Sequence, residues 1–437
     1  MRLRKEKTMT SNRGAIVAVV LGVLACSGQA EAGRVKDSSG RPSRVSSRTP
    51  HGNVALDWNA IAVDAIVVVG RNAPASSGLL LGMVQGAVYD ATNSITRSHQ
   101  PLIAASDAPC GSSAEAAVAQ AAHDVLVALL PAQQSSLDAA LASALARIPA
   151  GSGKSNGIAV GQRAASAMLA NRVGDGRFAN IPYTFGPPGP GVYQPTPPAF
   201  LTTPLVPWMA EARPFTMETP AQFRPEPPPD LGSQTWAGDL DRTRTLGDLH
   251  SAARTAAQTD IALFWTENTP QQWNRAIRGV ASQSGLDLSE TARLLALTNV
   301  AMADAWIGCW DGKYTYRFWR PVTAIRAGGE PGWTPLAVTP NHPEYPAAHG
   351  CVSAAAAEAL SRFFDGDTNT FTMDSTVTGT THTFARFREA GDEAGMARIY
   401  GGMHYLNSVL VGQELGRNVV DHLVDRGFFR QVDDDRK

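Results

Sequence analysis

Three short stretches of this 437-residue chain carry side chains suited to holding an oxyanion. "KYTYRFWRP", residues 313–321, sets Lys313 and Arg320 seven apart among aromatics and stops at Pro321. "NHPEYPAAHG", residues 341–350, carries His342 and His349. "ARIYGGMHY", residues 397–405, adds Arg398 and His404. A guanidinium donates paired hydrogen bonds to a planar or tetrahedral oxyanion, and an ammonium acts as a point charge. A histidine beside them can move a proton near neutral pH. Zinc suits this set poorly: its ligands are rarely ringed by Lys and Arg, and no Cys pair or HExxH spacing is present.

Local structure can bring these groups together. In a helix, seven residues is nearly two turns, so Lys313 and Arg320 would share a face. Pro321 disfavours helix at Arg320, so the two cations converge from a helix end and the loop after it. Pro346 sits where helices begin. Ala347, Ala348 and His349 then occupy a first turn, where free N–H groups and the helix dipole favour an anion. Gly401 and Gly402 let the backbone approach closely or break a helix. Arg398 and His404, six apart, cannot share one face of a straight helix. Taken singly, each stretch has a plainer reading: a solvated basic face, a capping histidine, a core histidine beside a Gly–Gly contact. His51, His99, His123, His250, His382 and His422 lack such settings and read as structural or surface residues.

The elements that must position these groups are helical. "WNAIAVDAIVVV", "GLLLGMVQGAVYDATNSI", "AEAAVAQAAHDVLVALL" and "SETARLLALTNVAMADAWIGCW" carry apolar residues at three- and four-residue spacing. Abundant alanine favours helix and close packing. Ser135 and Ser136 are candidate caps for "SSLDAALASALARI", and Ser289 with Glu290 opens another helix. Residues 186–230 are crowded with proline, which excludes regular helix and central strand. Tyr193, Phe200, Trp208 and Phe215 give that segment surface to bury, so it reads as an ordered, wrapping connection. Only "TNTFTMDSTVTGTTHTF" suggests strand or loop. The fold class is all-α: two helical layers or bundles, four-helix-bundle-like, joined by the Pro-rich segment.

Charged residues are 18% and hydrophobic ones 43%, which suits a globular protein. The net charge of −1 gives no global attraction to nucleic acid or an anionic membrane. Residues 1–32 read as a signal peptide: Arg2, Arg4, Lys5, Lys7 and Arg13, then "AIVAVVLGVLAC", then "AEA". Periplasmic or secreted placement follows, with a lipoprotein linkage at Cys26 as the second choice. Residues 33–50 read as a flexible leader, and 51–437 as the helical domain, with the oxyanion motifs in 310–408. No other segment is apolar enough to span a bilayer. Cys110, Cys309 and Cys351 remain, an odd number that allows one bridge without choosing it.

In order, the three stretches resemble the vanadium-dependent haloperoxidases and the acid phosphatases that share their site. The family pattern is Lys, six residues, Arg-Pro; then Pro-Ser-Gly-His; then Ser-Arg, five residues, His, three residues, Asp. "IALFW", "ADAWIGCWDGKY", "WRPVTAIR" and "HPEYP" are similar to the bacterial haloperoxidase-like branch. The likeness runs from about Trp58 to the C-terminus. It implies vanadate as cofactor, with phosphate able to take the same place. His404 would bond vanadium, or attack phosphorus in a phosphatase. Lys313, Arg320, Arg398 and the Ala347–Ala348 backbone would hold the oxygens. His349 would be the acid–base group, and Lys313 would polarise peroxide. His342 stands where bromoperoxidases of the family resemble this chain in carrying a second histidine, which favours bromide or iodide. Trp310 resembles the family's pocket-wall tryptophan.

The chain departs from the pattern at Ala347 and Ala348, which replace Ser-Gly, at Ala397, and at Ser408, which replaces the acid. These changes bear on efficient halogenation more than on oxyanion binding, and they leave the partner of His404 open. The resemblance implies an exported haloperoxidase using hydrogen peroxide and halide. The alternatives are a soluble phosphatase acting on a small phosphomonoester through a phosphohistidine, and a non-catalytic oxyanion-binding protein.

Overall fold

The computed structural model describes residues 52–432. The expected signal peptide and leader, residues 1–50, lie outside the described residues. The described chain is all-α apart from one hairpin. Its helices are α1 (Val54–Val63), α2 (Pro74–Thr96), α3 (Ala114–Leu129), α4 (Gln134–Ala146), α5 (Ser152–Asn171), α6 (Gln234–Gly247), α7 (Ala256–Phe264), α8 (Thr269–Gln283), α9 (Leu288–Tyr316), α10 (Pro321–Ala327), α11 (Ala348–Phe363), α12 (Phe387–Tyr400) and α13 (Leu406–Asp425). The Thr-rich excursion forms β1 (Thr368–Asp374) and β2 (Thr381–Arg386), paired antiparallel. No described helix is long and apolar enough to cross a membrane.

Two helical layers share α9. On one side α2 packs along α9, with α3 and α5 behind it; on the other, α11 packs on α9, α12 and α13. A helix flanked on both sides must be apolar nearly all round, and α9 is buried almost continuously from Thr291 to Lys313. Asp287 caps it, accepting from Glu290 N at 2.8 Å. The cap is thus Asp287 rather than Ser289. At α4, likewise, neither Ser135 nor Ser136 caps: Pro131 opens a short 3-10 turn, and α4 begins at Gln134 after it.

Small residues set the spacing in the second layer. A Cβ on Gly416 of α13 would lie 2.1 Å from the Cys351 carbonyl oxygen, and one on Gly412 2.8 Å from that of Ala347. Backbone of α13 therefore rests on backbone of α11 at its N-terminal turns. Gly416→Ala should lower stability by about 1 to 3 kcal/mol through overpacking, read from urea denaturation. A smaller change would mean that α11 can slide away from α13.

The Pro-rich connection is irregular but anchored. Asp304 of α9, fully buried, accepts from Phe215 N (2.7 Å), Thr216 N (2.8 Å) and Thr216 Oγ1 (2.6 Å). Arg224 makes a paired ion bridge to Asp311 at 2.6 and 2.7 Å. Tyr193 and Trp208 are buried and Phe215 partly so, as expected of anchors; Phe200 instead is 55% exposed.

Candidate active site

Each motif ends where a helix ends or begins. Helix α9 closes at Arg317, which is left-handed at φ 49°. Lys313 thus lies in its last turn, and Arg320 is the extended N-cap residue of α10. Helix α11 starts two residues later than Pro346 suggested: Ala347 is its N-cap and Ala348 its first helical residue. Its first intrahelical bond runs from Cys351 N to Ala347 O, so the N–H groups of Ala348, His349 and Gly350 precede the ladder. Helix α12 ends at Tyr400, and Gly402, at φ 76°, turns the chain back. Met403 N and His404 N both donate to Arg398 O, at 2.9 and 3.3 Å, which folds His404 over Arg398.

These ends meet at a cavity of about 90 Å³ between the two helical layers. His342, His349, His404, Arg398, Ala348 and Trp310 line it. Its opposite wall is apolar: Ala73, Pro74 and Ala75 at the start of α2, Leu205 and Val206 of the Pro-rich connection, and Trp306. Lys313 and Arg320 are fully buried in the wall behind the histidines. Lys313 Nζ donates to Pro343 O (3.0 Å), Glu344 O (2.9 Å) and, closest, Pro346 O. All three ammonium protons are therefore committed to main-chain carbonyls. Arg320 donates to His342 O (2.8 Å), Met403 O (2.9 Å), His404 Nε2 (3.0 Å) and His342 Nδ1 (2.9 Å).

The bonding fixes the histidine tautomers. A guanidinium only donates, so His404 Nε2 is the acceptor for Arg320 and the ring proton sits on Nδ1. That N–H points to Glu344 Oε1 at 2.8 Å. His349 Nε2 lies 3.0 Å from the Trp265 carbonyl and 3.1 Å from Thr269 Oγ1. A carbonyl only accepts, so Nε2 carries the proton there and Nδ1 is bare. The Trp265 carbonyl also receives Arg398 NH1 at 3.2 Å. One main-chain oxygen thus sets both the histidine and the arginine. The His342 ring packs against Trp310, with centroids 4.9 Å apart.

Burial dominates the electrostatics. It lowers Lys313 to about 8, Arg320 to about 10 and Arg398 to about 9, with Arg320 further depressing Arg398. All three are cationic at neutral pH. Burial, reinforced by the neighbouring cations, holds His342, His349 and His404 well below the usual histidine range, so each is neutral. Glu344 is raised to about 7 by burial, opposed by Lys313 and Arg320.

This arrangement fits a small, multiply charged oxyanion. Three buried cations face one buried carboxyl, Arg398 Nε is buried without a partner, and a helix N-terminus opens onto the same cavity. Ala347 offers no side-chain cap. Ala347→Ser should tighten orthovanadate binding by about tenfold through one added hydrogen bond to a charged group. Calorimetric titration checks this; unchanged affinity would mean that the α11 turn does not meet the anion at position 347.

Glu344, Thr269 and the Trp265 carbonyl escaped the sequence reading, as did the lining by α2. "HPEYP" displayed Glu344 openly, but its partner His404 lies 60 positions on. Of the remaining histidines, His123 bridges Asp124 and Asp138, and His382 bridges Glu393 and Asp260, both away from the cavity. Cys309 and Cys351 are free, buried thiols.

Two helical layers enclose a buried, cation-rich histidine site whose chemistry suits an oxyanion. Comparison with known proteins narrows the reading. Residues 293–428 match the family described as the VCPO second helical-bundle domain. Vanadium chloroperoxidase of Curvularia inaequalis is 27% identical over 157 residues, 29% of this chain and 26% of its own length. The chain therefore aligns with about a quarter of that relative. The crystal structure of the first bacterial vanadium-dependent iodoperoxidase superposes with a TM-score of 0.79 at 26% identity, over 89% of this chain and all of that one. A holo-type bacterial vanadium-dependent chloroperoxidase shares the fold, with a TM-score of 0.66 at 19% identity over 82% and 93% of the two chains. The chain is thus similar to vanadium haloperoxidases in its second helical bundle and in its fold.

Proposed function

We propose that this chain is an exported, vanadate-dependent haloperoxidase that oxidises bromide or iodide: H₂O₂ + X⁻ + H⁺ → HOX + H₂O. The observation that carries the reading is His404 held as the Nδ1–H tautomer, its bare Nε2 set between Arg320 and the cavity. Arg398 and the α11 N-terminus would hold the anion's oxygens. Vanadate, when bound, supplies a Lewis-acid centre that activates peroxide without a change of oxidation state. Lys313 and Arg320, fixed by carbonyls, present positive charge from behind, so little reorganisation accompanies charge development. His349 exchanges protons through its bare Nδ1, while Thr269 and Trp265 hold its other nitrogen. The apolar wall from α2 and Leu205–Val206 limits water, and His342 against Trp310 forms the halide side. Likeness to an iodoperoxidase over nearly the whole described chain supports the heavier halides.

The test is halogenation of a phenolic dye by the chain with orthovanadate, hydrogen peroxide and either iodide or bromide. Vanadate-dependent turnover, faster with iodide or bromide than with chloride, is expected. Release of phosphate from a small phosphomonoester without halogenation would replace this reading with the phosphatase. Vanadate bound without either turnover would leave an oxyanion-binding protein.

A further inference from the structure

The family pattern places an acid four residues after His404, where this chain carries Ser408, and the buried Glu344 of the second motif stands beside His404 instead. Glu344 Oε1 takes two hydrogen bonds, from His404 Nδ1 at 2.8 Å and Tyr405 N at 3.1 Å. Its backbone is pinned on both sides: its N–H donates to Phe318 O at 2.9 Å and its carbonyl accepts from Lys313. Neither its side chain nor that of His404 has room to turn away, both being essentially fully buried. Glu344 Oε2 and the Ser408 hydroxyl are both buried, and Ser408 is near enough to lower the pKa of Glu344. The Glu344 carboxyl is thus adjacent both to the His404 ring and to Ser408.

We infer that Glu344 is the positioning residue for His404, taking over from the second motif the task that an acid four residues after His404 would otherwise perform, and that Ser408 is small because Glu344 fills that space. This rests on His404 being the vanadate-contacting residue. Without an acceptor at Nδ1, the ring proton is free to move to Nε2. Nε2 would then be unable to accept from Arg320 or to offer a lone pair to the anion. Outer-sphere partners of this kind commonly govern affinity by about 10- to 100-fold.

The experiment uses the full chain and three variants: Glu344→Gln, Ser408→Asp and the double change. Two quantities are read at pH 8: the ¹⁵N signals of His404 without any anion, and orthovanadate affinity by calorimetry. The wild type should show His404 protonated at Nδ1 only. Glu344→Gln should mix the two tautomers and weaken orthovanadate by about tenfold or more. Ser408→Asp alone should fold less stably, because two carboxyls would crowd one buried place. The double variant should regain the Nδ1–H signal and most of the lost affinity, a rescue that a purely structural role for Glu344 does not predict.

An Nε2-protonated His404 in the wild type would overturn the inference whatever the variants do. So would unchanged ¹⁵N signals in Glu344→Gln, or a double variant no better than Glu344→Gln. Failure of the wild type to bind orthovanadate would instead sink the proposed function, while the ¹⁵N signals would still decide the role of Glu344.

Discussion

Replacing His404 with alanine should weaken orthovanadate binding by more than about a hundredfold and abolish halogenation. His404 lines the cavity with its Nε2 accepting from Arg320 and its Nδ1–H held by Glu344. The estimate follows from second-sphere changes alone costing metal sites about 10- to 100-fold; loss of the contacting atom exceeds that. The fold should survive. Glu344 can take up a proton, since burial already raises it to about 7, and Arg320 keeps its bonds to Met403 O and His342 O. Calorimetric titration with orthovanadate, paired with thermal melting, separates the two effects. Binding within tenfold of the wild type would show that the cations alone hold the anion, and that His404 is not its anchor.

The second large effect is expected at Arg398, and it should have opposite signs in binding and stability. Arg398 is the only one of the three motif cations whose residue lines the cavity. Its Nε has no partner, its NH1 reaches Trp265 O at 3.2 Å, and its NH2 meets only the Met403 sulfur at 2.9 Å. A buried cation so thinly satisfied costs stability in the empty protein. Arg398→Leu should therefore leave the melting temperature of the anion-free chain unchanged or raised. It should also weaken orthovanadate by about 10- to 100-fold, through loss of a charge-assisted bond. In the wild type, saturating orthovanadate should raise the melting temperature by mass action, and the variant should lose most of that rise. A variant that melts lower yet binds normally would assign Arg398 to the core of α12 rather than to the anion.

What could be read from the chain were features written in local pattern. The three- and four-residue apolar spacing gave the helices. Pro321 and Pro346 marked where α10 and α11 begin, within two residues. Gly401–Gly402 marked the end of α12. The alanine and glycine content foretold close helix contact, which α11 and α13 realise at Gly412 and Gly416. The chemistry of Lys313, Arg320, Arg398, His342, His349 and His404 was legible because residue type limits what a side chain can donate or accept.

Direction was not legible, because direction belongs to tertiary contacts. Lys313 and Arg320 carry the right charge, yet both point into main-chain carbonyls behind the cavity rather than opening onto it. Those carbonyls come from the 342–346 segment and from Met403 after α12. Glu344 looked like an ordinary loop residue until the turn after α12 carried His404 to within 2.8 Å of it. The Trp265 carbonyl that sets His349 and Arg398 has no side-chain signature at all. Nor did periodicity reveal that the start of α2, more than 200 residues earlier in the chain, closes the cavity. By itself, then, the sequence determined an all-helical protein with the side chains of an oxyanion site. Only the tertiary structure decided which protons each histidine carries, since that is set by donors and acceptors from distant segments packed around it.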